Sequence, residues 1–224
     1  MKEMRYTLRS LALVAGYPSA GLREILPELV KAIDGEAVLG VKRRDELRAL
    51  CDELARRDPF DVEARYVETF DRGRSTSLHL FEHVHGDSRD RGPAMIDLTQ
   101  TYEKAGLMPS GNELPDHLTV VLEFASTQPP AVAREFLGEI AHILTSVFSA
   151  LLKQQSPYAS VVAAVLELAG QKVQAVDVAP EPDLDEAWAE PEAFDGCSTR
   201  GQSRPGDVQP MHFVRNVARQ GVSQ

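Results

Sequence analysis

Two short stretches of this chain carry the side chains that could do chemistry. In the first, His79, Glu82, His83 and His85 crowd together. The i, i+4 spacing of His79 and His83 would place both imidazoles on one helical face, as two-histidine zinc sites require. The order is not His-Glu-x-x-His, no third ligand follows at a fixed spacing, and Gly86 comes directly after. A hydrogen-bonding role is therefore favoured over a metal-binding protein or small metalloenzyme built on His79, His83 and His85. In the second stretch, Glu113, Leu114, Pro115, Asp116, His117 and Leu118 follow one another. A histidine beside carboxylates is a tuned proton carrier, but no nucleophile stands at a recognisable spacing. Two other readings fit the same residues. Acidic groups and Pro115 suit the first turn of a helix, and the acidic groups could form an anionic binding lip. No glycine-rich phosphate loop is present.

Around the first stretch lie Asp71, Arg72, Arg74, Glu82, Asp87, Arg89, Asp90 and Arg91. Such a run can be a solvated surface of self-neutralising charges. Its closeness to histidines and to Phe70 and Phe81 favours a recognition surface. Tyr66 and Phe70, four residues apart, read as core aromatics or as groove-lining residues, with the Tyr66 hydroxyl at the water boundary.

The elements that must position these residues are helical almost throughout, because apolar residues recur at helical rather than alternating spacing. Leu8, Leu11, Ala12 and Ala15 define a first helix that Gly16-Tyr17-Pro18 ends. Ser19 caps a second, with Leu22, Ile25, Leu26, Leu29, Val30 and Ile33 inward and Asp34-Gly35 as its stop. Pro27 predicts a kink or break within it. A third helix carries Leu47, Leu50, Cys51 and Leu54, and a fourth runs from Phe60 to Phe70. Leu78 to Val84 reads as a short helix. Ser88 or Asp90 starts another, which Gly106 closes. Pro115 is expected in the first turn of a helix capped by Asn112 or Glu113. Residues 131–154 read as the longest and most apolar helix, and Tyr158 to Gln171 as the last. The fold class is all-α: a single bundle of roughly eight to ten helices.

Hydrophobic residues make up 43% of the 224, enough for a core, and the formal net charge is -10. An acidic chain lacks the basic face that nucleic acid or an anionic membrane requires; it favours a cationic partner. Cys51 and Cys197 match no disulfide framework or zinc spacing. The apolar run at Leu11 to Ala15 is too short to span a membrane. A cytoplasmic location is the simplest expectation. Between Asp177 and Asp195 there are eight acidic residues, three prolines and no basic residue. The expected organisation is therefore a helical domain over 1–174 and a mostly disordered acidic tail over 175–224, in which only Met211, Phe213 and Val214 could dock locally.

The segments Tyr66-Val67-Glu68-Thr69-Phe70-Asp71-Arg72-Gly73-Arg74 and Ser77 to Gly92 resemble the signature of the NarJ-type chaperones, the delta subunits of respiratory nitrate reductase. Glu113-Leu114-Pro115-Asp116-His117-Leu118 is similar to the Glu-x-Pro-Asp-His motif of the wider redox-enzyme maturation chaperones. The resemblance covers about residues 5–170. His79 stands where that family's pattern carries an aliphatic residue, which speaks against a metal role for it. The resemblance implies an all-helical protein without catalytic activity and with no stably bound cofactor. It implies binding of the apo catalytic subunit of respiratory nitrate reductase, through that subunit's N-terminal twin-arginine-like peptide and a second site. The client would be held competent for insertion of the molybdenum cofactor and an iron–sulfur cluster before membrane attachment, and the chaperone would not remain in the final enzyme. Proteins of molybdenum cofactor biosynthesis are further expected partners; nucleic acid and membrane insertion are not. The client-peptide residues expected on this basis are Tyr66, Phe70, Asp71, Arg72, Glu82, His83, Glu113, Leu114, Pro115, Asp116 and His117. His83 and His117 would then make affinity depend on pH, weakening as they become cationic.

Overall fold

The computed structural model describes residues 2–86, 88–108 and 113–177. Ten α-helices account for most of the described chain. They are α1 (Arg5–Ala15), α2 (Ala20–Glu36), α3 (Val41–Arg56), α4 (Pro59–Phe70), α5 (Glu82–His85), α6 (Arg91–Lys104), α7 (Leu118–Thr127), α8 (Pro130–Glu139), α9 (Ala141–Lys153) and α10 (Ala159–Leu168). A 3-10 turn at Arg74–Thr76 separates α4 from α5.

The core forms around α10, whose residues Val161 to Leu166 are all buried. A helix buried on every side has no polar face, and the short side chains of Ala163 and Ala164 let its neighbours approach closely. It packs against α9, α3, α8 and α1, while α1 lies between α7 and α2. The helix gives way to Gly170 at φ +77, the left-handed residue that closes many helices.

Local signals set most boundaries. The Ser19 side chain accepts the Leu22 N–H, and Pro59 sits in the first turn of α4 behind an Asp58 cap. Asp34-Gly35 does not stop α2, which continues to Glu36. The extra turn has a use: the Glu36 carboxylate accepts the Tyr6 and Thr7 N–H groups at 2.9 and 2.7 Å. It thereby caps α1, whose own Met4 provides no side-chain cap. Nor does Pro27 break α2. Removing one backbone donor is tolerated there because Leu26, Leu29 and Ile33 anchor the helix from one buried face.

Three further expectations are corrected. Leu78 to Phe81 is not helical; an antiparallel bridge pairs His79 with His117, and only Glu82–His85 coils. Pro115 lies in a turn ahead of α7 rather than in it, with His117 at the N-cap position. The proposed Asn112 cap lies outside the described residues. Residues 131–154 are two helices, α8 and α9, bent by 67° about Ile140. Gly138 weakens the helix just before the bend, and the bend allows Ala133 and Leu137 as well as Leu144 and Leu151 to reach the core. Among the described residues, no single helix is long and apolar enough to cross a membrane.

After α10 the chain is still held. Val173 packs on the core, and the Val176 N–H donates to Ser149 Oγ at 2.9 Å. These two contacts lie on either side of the expected 174/175 boundary. The acidic tail and the local docking of Met211, Phe213 and Val214 lie outside the described residues.

Candidate functional site

The two sequence motifs meet. Leu80 N–H donates to the Asp116 carbonyl at 3.1 Å and Leu118 N–H to the Leu78 carbonyl at 2.8 Å. A short antiparallel crossing thus ties residues 77–81 to 114–118. Such isolated backbone pairing is weak alone, and here side chains reinforce it. Asp116 is fully buried; its Oδ2 accepts the Phe81 N–H at 3.0 Å and lies 3.8 Å from the Arg91 guanidinium. Arg91 also reaches Glu82 at 3.3 Å, and Glu82 accepts the Ser77 hydroxyl at 2.5 Å. The Tyr102 hydroxyl donates to the Pro115 carbonyl at 2.8 Å, anchoring α6, of which Tyr102 is the buried residue.

The histidines separate by role. His83 Nε2 meets the Ser77 carbonyl at 2.9 Å, and His85 stacks edge-on against Phe81. His79 instead faces His117, with ring centroids 4.9 Å apart. Its Nδ1 is 3.5 Å from Asp116 Oδ1, an ion-pair contact without hydrogen-bond alignment. The His79–His83–His85 grouping is therefore not formed. His117 Nδ1 meets Thr119 Oγ1 at 2.7 Å. The two rings titrate in opposite directions. Contact with Asp116 raises His79, while burial lowers His117 despite the attraction of Glu113.

Tyr66 and Phe70 are core residues in an aromatic cluster with Tyr158 and the edge of Tyr17. The Tyr66 hydroxyl does not reach water; it donates to the Ala15 carbonyl at 2.9 Å, and burial raises its pKa. The candidate residues thus divide. Tyr66, Phe70, Asp116 and His117 are buried, and Glu82, His83 and Pro115 are half-buried. Asp71, Arg72, Glu113 and Leu114 are exposed, Leu114 to 46%. Two of the exposed residues act on the same groups: Asp71 and Glu113 both act electrostatically on Tyr66 and His117, and Asp71 also on Tyr17. Tyr17, Phe60, Glu63, Val67, Glu68 and Arg72 line a shallow groove of about 560 Å³ next to them. Phe60 there is 81% exposed. Among the described residues, Arg72 has no ion-pair partner, whereas Arg91 is drawn inward to Glu82 and Asp116.

The sequence reading does not single out Tyr102 and Thr119, whose polar contacts come from separate helices. Tyr17 and Phe60 carry a signal that helical spacing misses: both are large aromatics at the ends of helices, outside any apolar stripe.

The described chain is a helical bundle in which the buried Asp116 joins the half-buried Arg91 and Glu82, with Asp71, Glu113 and Phe60 exposed nearby. Its fold is that of a solved chain described as a candidate redox enzyme maturation protein from Archaeoglobus fulgidus. That chain matches with a TM-score of 0.53 and 20% identity, over 76% of this chain and 96% of the other. The family description "Nitrate reductase delta subunit" fits residues 18–164, and the chain belongs to that family. Over 180 residues it is 42% identical to the nitrate reductase molybdenum cofactor assembly chaperone NarJ of Escherichia coli K12, covering 80% of this chain and 76% of that protein. It is also 40% identical over 150 residues to the nitrate reductase-like protein NarX of Mycobacterium tuberculosis, covering 66% of this chain and 22% of NarX. The family is one of molybdenum cofactor assembly chaperones, not of enzymes.

Proposed function

We propose that this protein is the assembly chaperone of a respiratory nitrate reductase. It binds the apo catalytic subunit, in part through that subunit's basic N-terminal peptide. It keeps the subunit open for molybdenum cofactor and iron–sulfur insertion in the cytoplasm, and leaves before the enzyme is complete. It holds no cofactor of its own in this role, and proteins of cofactor biosynthesis join the same transient complex. The observation that supports this reading is that Asp71 and Glu113, both exposed, lie near enough to act together on Tyr66 and His117, with exposed Leu114 beside Glu113 at the edge of the crossing that Asp116 holds. An amphipathic cationic peptide would set apolar side chains on Leu114, Tyr17 and Phe60 and its arginines or lysines against Glu63, Asp71 and Glu113. The buried residues brace this surface rather than touch the client.

Co-expression of the chain with the catalytic subunit tests the reading. Cells unable to make molybdenum cofactor should yield a stable complex of the two, and cofactor-replete cells should yield little. Equal recovery from both, or none from either, would contradict it.

A further inference from the structure

We propose that His79, Glu113 and His117 form a binding site for a divalent first-row transition ion of the zinc class. One ring nitrogen from each histidine and a carboxylate oxygen of Glu113 all lie within 4.8 Å of one another. Tetrahedral zinc holds its N and O ligands about 3.4 Å apart, from bonds of about 2.1 Å. Rotations of the exposed Glu113 side chain and of the two rings would have to close the difference. The two imidazoles need no search for position, since the antiparallel bridge fixes their backbones opposite each other.

Second contacts point the same way. Metal-bound histidines characteristically donate their other ring N–H to a carboxylate or another oxygen, which sets the tautomer and the ring's direction. Here His79 Nδ1 faces Asp116 Oδ1 at 3.5 Å and His117 Nδ1 meets Thr119 Oγ1 at 2.7 Å. That leaves Nε2 of each ring as the free donor. Asp116 Oδ1 and His79 Nδ1 are both buried without a formed hydrogen bond. An ion on the far nitrogen would polarise the His79 N–H and tighten that contact. Arg91 occupies the other carboxylate oxygen, Oδ2, and does not compete for Oδ1. Two imidazoles and a carboxylate favour zinc, cobalt or nickel over calcium and magnesium, which take oxygen ligands alone. Three protein ligands leave a fourth position for water. The resemblance speaks against a metal role for His79 within the His79–His85 run; the fold gives it different partners, one of them 38 residues along the chain. A bound ion would pin the Glu113 loop to the crossing. The site stands independently of client binding.

Titration of the full-length chain, stripped with a chelator, with Co2+ under visible spectroscopy tests the proposal. One equivalent should bind with tetrahedral-type absorption, and Zn2+ should displace it. Glu113→Gln and His79→Gln, each shown to fold by circular dichroism, should each weaken Co2+ by at least about tenfold, and Thr119→Val by about tenfold through the second contact. No saturable Co2+ binding would overturn the site. So would binding that both Glu113→Gln and His79→Gln leave unchanged, since the ion would then sit elsewhere.

Discussion

The fully buried carboxylate of Asp116 accepts the backbone N–H of Phe81 at 3.0 Å, joining two segments that lie 35 residues apart in the chain. In this fold, Asp116 is a structural clamp. Asp116→Ala leaves the Phe81 N–H without its acceptor and Arg91 without one of its two carboxylates. The expected cost is about 3 kcal/mol, read from chemical denaturation. A loss of client affinity in that variant should accompany the loss of stability. A variant as stable as the parent would mean that the clamp carries little.

Tyr66 makes a narrower test of the division between brace and surface. Tyr66→Phe keeps the aromatic cluster and removes only the bond to the Ala15 carbonyl. It should cost about 1 kcal/mol, seen as a fall in Tm of about 2–4 °C, with client-peptide affinity unchanged. A clear loss of affinity at unchanged stability would put the phenol in contact with the client.

The histidine pair predicts a pH dependence of stability. His79 is raised in the fold, first by Asp116 and also by Glu82, with burial and Arg91 opposing. Its stabilising contribution is therefore complete below the ordinary imidazole value of about 6.5 and is lost as pH rises through the raised value. His117 is lowered, so protonating it costs stability as pH falls below about 6.5. In denaturation, His79→Gln should thus lose more stability at about pH 5.5 than at about pH 8. In NMR titration, the His79 ring should titrate above the ordinary value and His117 below it. The reverse order would contradict the assignment.

Truncation probes where the packed chain ends. Val173 and Val176 are held against the core and against Ser149. A chain ending at Asp177 should keep the parent Tm within about 2 °C, whereas ending at Gln171 should lower it by several degrees, about 1–2 kcal/mol for the lost apolar contact. Equal stability of the two would show that the segment after α10 contributes nothing.

Helices with one clear apolar stripe, such as α1 and α3, were legible from spacing alone, and so was the Ser19 cap of α2. Three of the corrected expectations share a cause: each was decided by contacts distant in sequence. The crossing of residues 77–81 with 114–118 has no local signature, so His79 and His83 read as a helical pair. The end of α2 is set by its service to α1 through Glu36, and the bend between α8 and α9 by packing on α10. In the candidate site, the motif residues were recognisable, but which of them face water was not. The buried state of Asp116 depends on Phe81, Arg91 and Tyr102, none of which lies next to it in the chain.

The most direct test of the chaperone reading is calorimetric titration of the full-length chain with a peptide of about the first fifteen residues of the nitrate reductase catalytic subunit from the same genome. The account predicts saturable one-to-one binding. Asp71→Lys and Glu113→Lys, both at exposed positions that should fold normally, should each weaken it by about tenfold at low salt, roughly 1.4 kcal/mol. No heat of binding at high micromolar peptide, or affinity unmoved by both charge reversals, would contradict it.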